Sequence, residues 1–318
     1  MSRSIWGGVA SAIYLFASPA WADDSLALLQ KIAQGARHLT YSGIFVYRSG
    51  NKVETSRIVH TQIDGRERER IEVLDGSPRE VIRDGNEVKC FIPDEQLLIV
   101  ESLPRQRGFP SMLPAGLGRL LDHYTIRSGR HERFAGLESL AIQLEPRDQL
   151  RYRHEFLVDA ASGLMLKAVM LGEHGEILEA FAFSQIKIGG TLDPDAFKPH
   201  FDPDRVRVQQ VRATQVRVDD IGWNFKASMP GFRRVAATRR QASSTQTESL
   251  HVVFSDGLAS ISVFIEPGSA DESVETLAQF GPVNVYRRQL GGHRLMVMGE
   301  VPAVAVKRLA DGIERRMK

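Results

Sequence analysis

Aspartate-glycine pairs punctuate the first third of the chain at a spacing that constrains its fold. Asp64-Gly65, Asp75-Gly76 and Asp84-Gly85 separate short runs of strand length. Such pairs supply the backbone angles of tight hairpins, and roughly ten residues between them is one strand and its turn. The spacing predicts an antiparallel meander. Its first strand is Tyr41-Ser42-Gly43-Ile44-Phe45-Val46-Tyr47-Arg48, a run of aromatic and β-branched residues. Alternation sets Tyr41, Gly43, Phe45 and Tyr47 on one face and Ser42, Ile44, Val46 and Arg48 on the other. An aromatic ladder of this kind requires an apolar surface opposite it.

The preceding residues 25–38 carry Leu26, Leu29, Ile32, Ala33 and Ala36 at helical spacing, so an amphipathic helix is expected in the hollow of the sheet. Strands at 54–63 and 66–74 are dense in charge, with Arg68 and Arg70 sharing a face with Glu72, and read as a solvated, salt-laced surface rather than a nucleic-acid patch. Further strands are expected at 80–83, 88–92 and 97–100. Residues 104–121 break the pattern with Pro104, Gly108, Pro110, Pro114, Gly116 and Gly118 among Phe109, Met112, Leu113 and Leu117. This composition suits a loop with one short helix, either a lid over an apolar cavity or a packed connector. Strands resume at 123–127 and 137–144, and residues 152–189 then read as three successive strands turning at Ser162-Gly163 and at Gly172 to Gly175.

At the N-terminus, Arg3, the apolar run 5–16 and Ala20-Trp21-Ala22 have the layout of an export signal cleaved after Ala22. The apolar run is shorter than the roughly twenty residues a membrane span needs. A soluble protein outside the cytoplasm is therefore expected. Cys90 is the only cysteine, so no intrachain disulfide forms; the residue reads as a small buried hydrophobe or as a reactive thiol. Charge divides the chain. Residues 23–204 carry 23 Lys and Arg against 28 Asp and Glu, and residues 205–318 carry 17 against 11. Such asymmetry fits a second part that meets an acidic surface, or simply a solvated face.

Catalytic signatures do not appear. There is no Gly-x-Ser-x-Gly elbow, His-Glu-x-x-His, Cys-x-x-Cys or phosphate-cradling glycine loop, and His131-Glu132 has no second histidine one turn on. A hydrolase is the weak hypothesis, and neither cofactor nor metal is expected. The segment 191–215, with Pro194, Pro199 and Pro203, reads as an extended connector or docking strand. Beyond it, strands are expected at 223–227, 232–239, 249–255, 259–266, 284–290 and 293–299, closed by a helix from Pro302 to Arg316.

The Val-Asp, Ser-Gly-Leu and Phe-x-x-Ile pattern of residues 152–189 resembles the half-barrel of periplasmic lipoprotein carriers. A closer resemblance includes Tyr41-Ser42-Gly43-x-Phe45-Val46-Tyr47, Arg57-x-Val59-His60, Arg68-Glu69-Arg70, Leu74-Asp75-Gly76, Arg79-Glu80-Val81 and Cys90-Phe91-x-Pro93. Together these resemble the MucB/RseB family, with a looser match in the second domain at Trp223 and Met229-Pro230-Gly231-Phe232. The expected fold class is α+β: an antiparallel half-barrel with helices in its concave face over 23–190, a linker over 191–215 and a smaller α+β domain over 216–318. The resemblance implies a periplasmic negative regulator of the sigma-E response. It would bind the periplasmic part of a membrane-anchored anti-sigma factor of the RseA or MucA type, shield it from proteolysis and, in some settings, control alginate synthesis. A lipid or lipoprotein carrier is the alternative that the half-barrel alone permits.

Candidate sites follow from both readings. Tyr41, Phe45, Tyr47, Phe156, Phe181 and Phe183 are expected to line a cup for lipopolysaccharide or another acylated amphiphile, or to form an ordinary core. Trp223, Arg233, Arg234, Phe254, Arg287 and Arg288 are the candidate partner-binding residues, the aromatics being equally suited to the core of the second domain. No nucleic-acid partner is expected, and self-association is left open.

Overall fold

The computed structural model describes residues 20–101, 108–113, 117–201, 205–211, 213–217, 221–241, 248–268 and 275–316. Most of the expected export signal and parts of the 104–121 segment lie outside the described residues. Helix α1 (Ala20–His38) precedes β1 (Tyr41–Ser49), β2 (Lys52–Ile63), β3 (Arg66–Val73), β4 (Glu80–Asp84), β5 (Glu87–Ile92) and β6 (Leu97–Glu101). After the short α2 (Leu120–His123) come β7 (Tyr124–Phe134), β8 (Leu137–Pro146), β9 (Arg153–Asp159), β10 (Met165–Leu171), β11 (Ile177–Ile188) and β12 (Arg207–Val211). Among the described residues these twelve strands form one open sheet, ordered β12-β6-β5-β4-β3-β2-β1-β11-β10-β9-β8-β7. The β1–β6 meander and the β7–β11 meander thus meet where β1 pairs with β11, with Phe45 opposite Phe183 and Tyr47 opposite Phe181. At the β2–β3 hairpin both Asp64 and Gly65 have positive φ, the turn that the Asp-Gly pair favours.

Helix α1 lies in the concave face as expected, burying Leu29, Ile32, Ala33 and Ala36 against Tyr41, Phe45, Ile58 and Phe156. The helix begins at Ala20 rather than near Ser25. The described part of the proline- and glycine-rich segment packs into the same core through Phe109, Leu113, Leu117 and Leu120. Gly43 on β1 allows β11 to approach, since a Cβ there would collide with the Gln185 carbonyl oxygen.

One expectation about the first sheet is corrected. Strand β3 is not wholly solvated: the Arg70 side chain is buried, bonded to Glu80, paired with Glu72 at 3.1 Å and donating to the Ala196 carbonyl at 3.3 Å. The segment after β11 covers it, and the His200 amide donates to Glu80 at 3.1 Å. Of the two readings of segment 191–215, the docking strand is the one realised: β12 pairs parallel with β6, and β13 (Ala213–Gln215) pairs with a strand of the second domain.

That domain comprises β14 (Trp223–Phe225), β15 (Arg233–Gln241), β16 (Glu248–Ser255), β17 (Ser260–Pro267), β18 (Thr276–Phe280), β19 (Val283–Leu290), β20 (His293–Gly299), α3 (Ala303–Asp311) and β21 (Ile313–Arg315). Seven strands form a sheet ordered β13-β15-β16-β17-β20-β19-β18, while β14 and β21 make a separate ribbon. Helix α3 buries Ala305, Val306, Leu309 and Ala310. It stops at Asp311 instead of running to Arg316, because Gly312 packs on Ala227 where a Cβ has no room, and the chain then leaves as β21. Strand β18 was not foreseen.

Candidate functional site

The aromatic residues of the first sheet converge, but the chain itself fills the space they enclose. Tyr41, Phe45, Phe156 and Phe183 are buried, while Tyr47 and Phe181 are half-buried. Phe109 is seated among them, stacked on Phe181 with centroids 5.4 Å apart and tilted against Phe45 and Phe183 at 5.5 and 5.1 Å. Tyr47 packs on the outer side of Phe181 at 4.7 Å, so this pair forms the rim of the cup. Tyr41 stacks on His60 at 4.6 Å deeper in the sheet.

In the second domain Trp223 and Phe254 are buried, Trp223 edge-on to His293 at 5.2 Å and Phe254 against Phe225 at 5.1 Å. Arg233 and Arg287 are exposed, and Arg234 is half-buried. Arg288 is half-buried and donates to the Ile313 carbonyl at 3.2 Å. The two exposed arginines are therefore the members of this set open to a partner as the domain stands.

Sequence reasoning missed the junction between the domains. Arg151, in the β8–β9 loop, is fully buried with Asp148 at 3.3 Å and Asp256 at 3.4 Å, and donates to the Pro230 carbonyl at 2.5 Å. Its guanidinium lies 4.9 Å from the Phe232 ring and 5.5 Å from that of Tyr124. Tyr124 donates to Asp256 at 3.2 Å; burial, and next the Asp256 charge, hold its hydroxyl well above the usual range. Asn284 donates to the Tyr152 hydroxyl at 2.9 Å and to the Val301 carbonyl at 2.9 Å. Leu258 belongs to the core of the first domain and Leu150 to that of the second.

Beside this junction lies a cavity of about 260 Å³, walled by Phe109, Met112, Phe181 and Leu258 and carrying Glu179, His154 and Glu300. Register explains the placement: His154 pairs with Met170 and Met170 with Glu179, so one cross-strand row delivers both polar groups. Glu300 arrives from the end of β20. Burial, and secondly the charge of Glu300, push the Glu179 carboxyl up to about 7, against a lowering hydrogen bond from Tyr47. Burial also raises Glu300, lifts Tyr47 to about 12 with help from Glu179, and drops His154 to about 4. The alternation Glu179, Phe181, Phe183 was a readable signal that a carboxylate shares the aromatic face; Glu300 had none. Among the described residues no cluster of His, Cys, Asp and Glu is arranged to hold a metal ion, and no helix is long and apolar enough to cross a membrane.

Comparison with known proteins places these features. The sigma factor AlgU regulatory protein MucB of Pseudomonas aeruginosa is 30% identical, with 94% of each chain covered. The sigma-E factor regulatory protein RseB of Salmonella typhimurium is 28% identical over 97% of this chain and 96% of its own. A crystal structure of MucB in complex with MucA(peri) aligns over 93% of this chain and all of that one, at 28% identity and a TM-score of 0.74. The complex of Pseudomonas aeruginosa MucA and MucB gives 0.75 at 27% identity, again over 93% of this chain and all of that one. The MucB/RseB N-terminal domain model matches residues 24–201 and the C-terminal domain model residues 217–314. With both halves matched in order, this chain belongs to the MucB/RseB family.

Proposed function

We propose that this protein is a periplasmic regulator that binds the periplasmic segment of a membrane-anchored anti-sigma factor and thereby restrains a sigma-E-type response. The observation that carries the reading is the joint likeness of both domains to MucB bound to MucA(peri). A carrier needs only the cup, whereas here a second domain is pinned to the first through a buried arginine. The reading is that of a binding protein rather than an enzyme. Exposed Arg233 and Arg287 offer charge to an acidic segment, with Arg234, Arg288, Trp223 and Phe254 shaping the surface beneath. An acyl chain, from lipopolysaccharide or a similar amphiphile, enters at the Tyr47–Phe181 rim and displaces Phe109 from Phe45 and Phe183, reaching toward Phe156 and Tyr41. Calorimetric titration of the full chain with the periplasmic segment of its anti-sigma factor tests the reading. A saturable complex, weakened by Arg233→Glu with Arg287→Glu more at low salt than at high, is expected; heat of dilution alone would overturn it.

A further inference from the structure

The cavity beside the domain junction carries Glu179, Glu300 and His154, which the regulatory reading does not use. Three observations bear on it. First, Glu179 is only 7% exposed, yet neither it nor Glu300 has an ion-pair partner among the described residues. The groups facing Glu179 are Tyr47 from β1, Glu300 from the second domain and His154 from β9. Lys52, over the Tyr47 ring, is already paired with Glu54 at 3.0 Å. Among the described residues, two carboxylates thus share a largely buried space with no cation beside them, an arrangement that is costly unless one stays protonated or a cation enters. Second, His154 is 3% exposed and lines the cavity, and its ring nitrogens make no hydrogen bond among the described residues. The ring thus has hydrogen-bonding capacity that the described residues leave unused. Third, the rest of the wall includes Phe109, Phe181, Met112 and Met170, whose ring faces and thioethers suit an apolar stem and the edge of a cation.

Volume and geometry narrow the ligand. At about 260 Å³ the space falls below the roughly 300–1,000 Å³ of sites for drug-sized molecules, so it holds one side chain or one small amine. The three polar groups do not converge as a metal site would. We propose that this cavity receives a single organic cation, an ammonium or guanidinium on a short apolar stem, clamped between Glu179 of the first domain and Glu300 of the second. Its source is either a lysine or arginine side chain of a protein segment or a free alkylamine. Because the two carboxylates come from different domains, the cation bridges them and favours the domain arrangement seen here.

The test uses the full chain with methyl-labelled methionine, titrated with pentylammonium and, as the neutral counterpart, 1-pentanol. Saturable shifts of the Met112 and Met170 methyl signals are expected with the amine and not with the alcohol. As Glu179 is protonated below about 7, the amine affinity should fall by about tenfold for each pH unit below that point. Glu179→Gln and Glu300→Gln, each checked for a native spectrum, should weaken it at least about tenfold at pH 8. A capped lysine peptide that binds more tightly than pentylammonium assigns the site to a protein side chain, and the reverse order to a free amine. Equal response to the amine and the alcohol, or undiminished amine binding in both glutamine variants, overturns the proposal. Neither arm involves an anti-sigma segment, so failure here leaves the regulatory reading standing.

Discussion

Glu179 and His154 face one cavity and tilt the stability of the fold in opposite directions with pH. Glu179 rises from 4.5 to about 7 on folding, so the native state holds its proton more tightly, and stability present below pH 4.5 is lost as pH climbs through 7. His154 falls from 6.5 to about 4, so the stability present above pH 6.5 is lost as pH drops through 4. The two slopes largely cancel in the native sequence. Glu179→Gln should gain about 3 kcal/mol at pH 8 and nearly nothing at pH 4, leaving unfolding free energy that rises with pH. His154→Phe should leave the opposite slope. Urea titrations between pH 4 and 8 check both, and parallel curves for the two variants would contradict the assignment. The sequence carried half of this: strand alternation aligned Glu179 with Phe181 and Phe183, whereas the opposing Glu300 belongs to another domain and no local pattern connects them.

Elements with a local signature were legible, and those defined by distant contacts were not. The Asp64-Gly65 pair sets its strand boundaries tightly, because a two-residue turn accepts few other residues, while Asp75-Gly76 and Ser162-Gly163 mark the longer connections 74–79 and 160–164. Strand β18 escaped notice because every residue in it is exposed, Phe280 by 66%, so no alternation marks it. The Met229-Pro230-Gly231-Phe232 turn was visible as a turn but not as a contact. Gly231 has a φ of +80° and lies so close to the His123 ring that a Cβ would collide with it, which lets Pro230 and Phe232 reach Arg151. The Phe109 segment was left between lid and connector, and its Phe109, Leu113, Leu117 and Leu120 are packed in the core. Phe109→Ala should cost about 3–5 kcal/mol in urea unfolding if that packing is what holds the segment. A change under about 1 kcal/mol would mean that the ring contributes little there.

The molecule works as two domains joined through buried charge, an arrangement that composition hinted at only as a difference in sign between its halves. Removing one member of such a group leaves the others uncompensated, so Arg151→Ala should destabilise the protein by about 3–5 kcal/mol. Small-angle scattering of this variant should show a larger radius of gyration; an unchanged radius would place the domain contact elsewhere. Linkage relates the two proposed ligands, the amphiphile and the anti-sigma segment. If an amphiphile in the cup favours a domain arrangement that the anti-sigma segment does not, each must lower the affinity of the other by the same factor. The most direct measurement is the rate at which the protease that opens the anti-sigma pathway cuts the periplasmic segment, with and without this protein at saturating concentration. A rate that falls in its presence and recovers when a lipopolysaccharide fragment is added is the predicted result; an unchanged rate despite a formed complex would contradict the account.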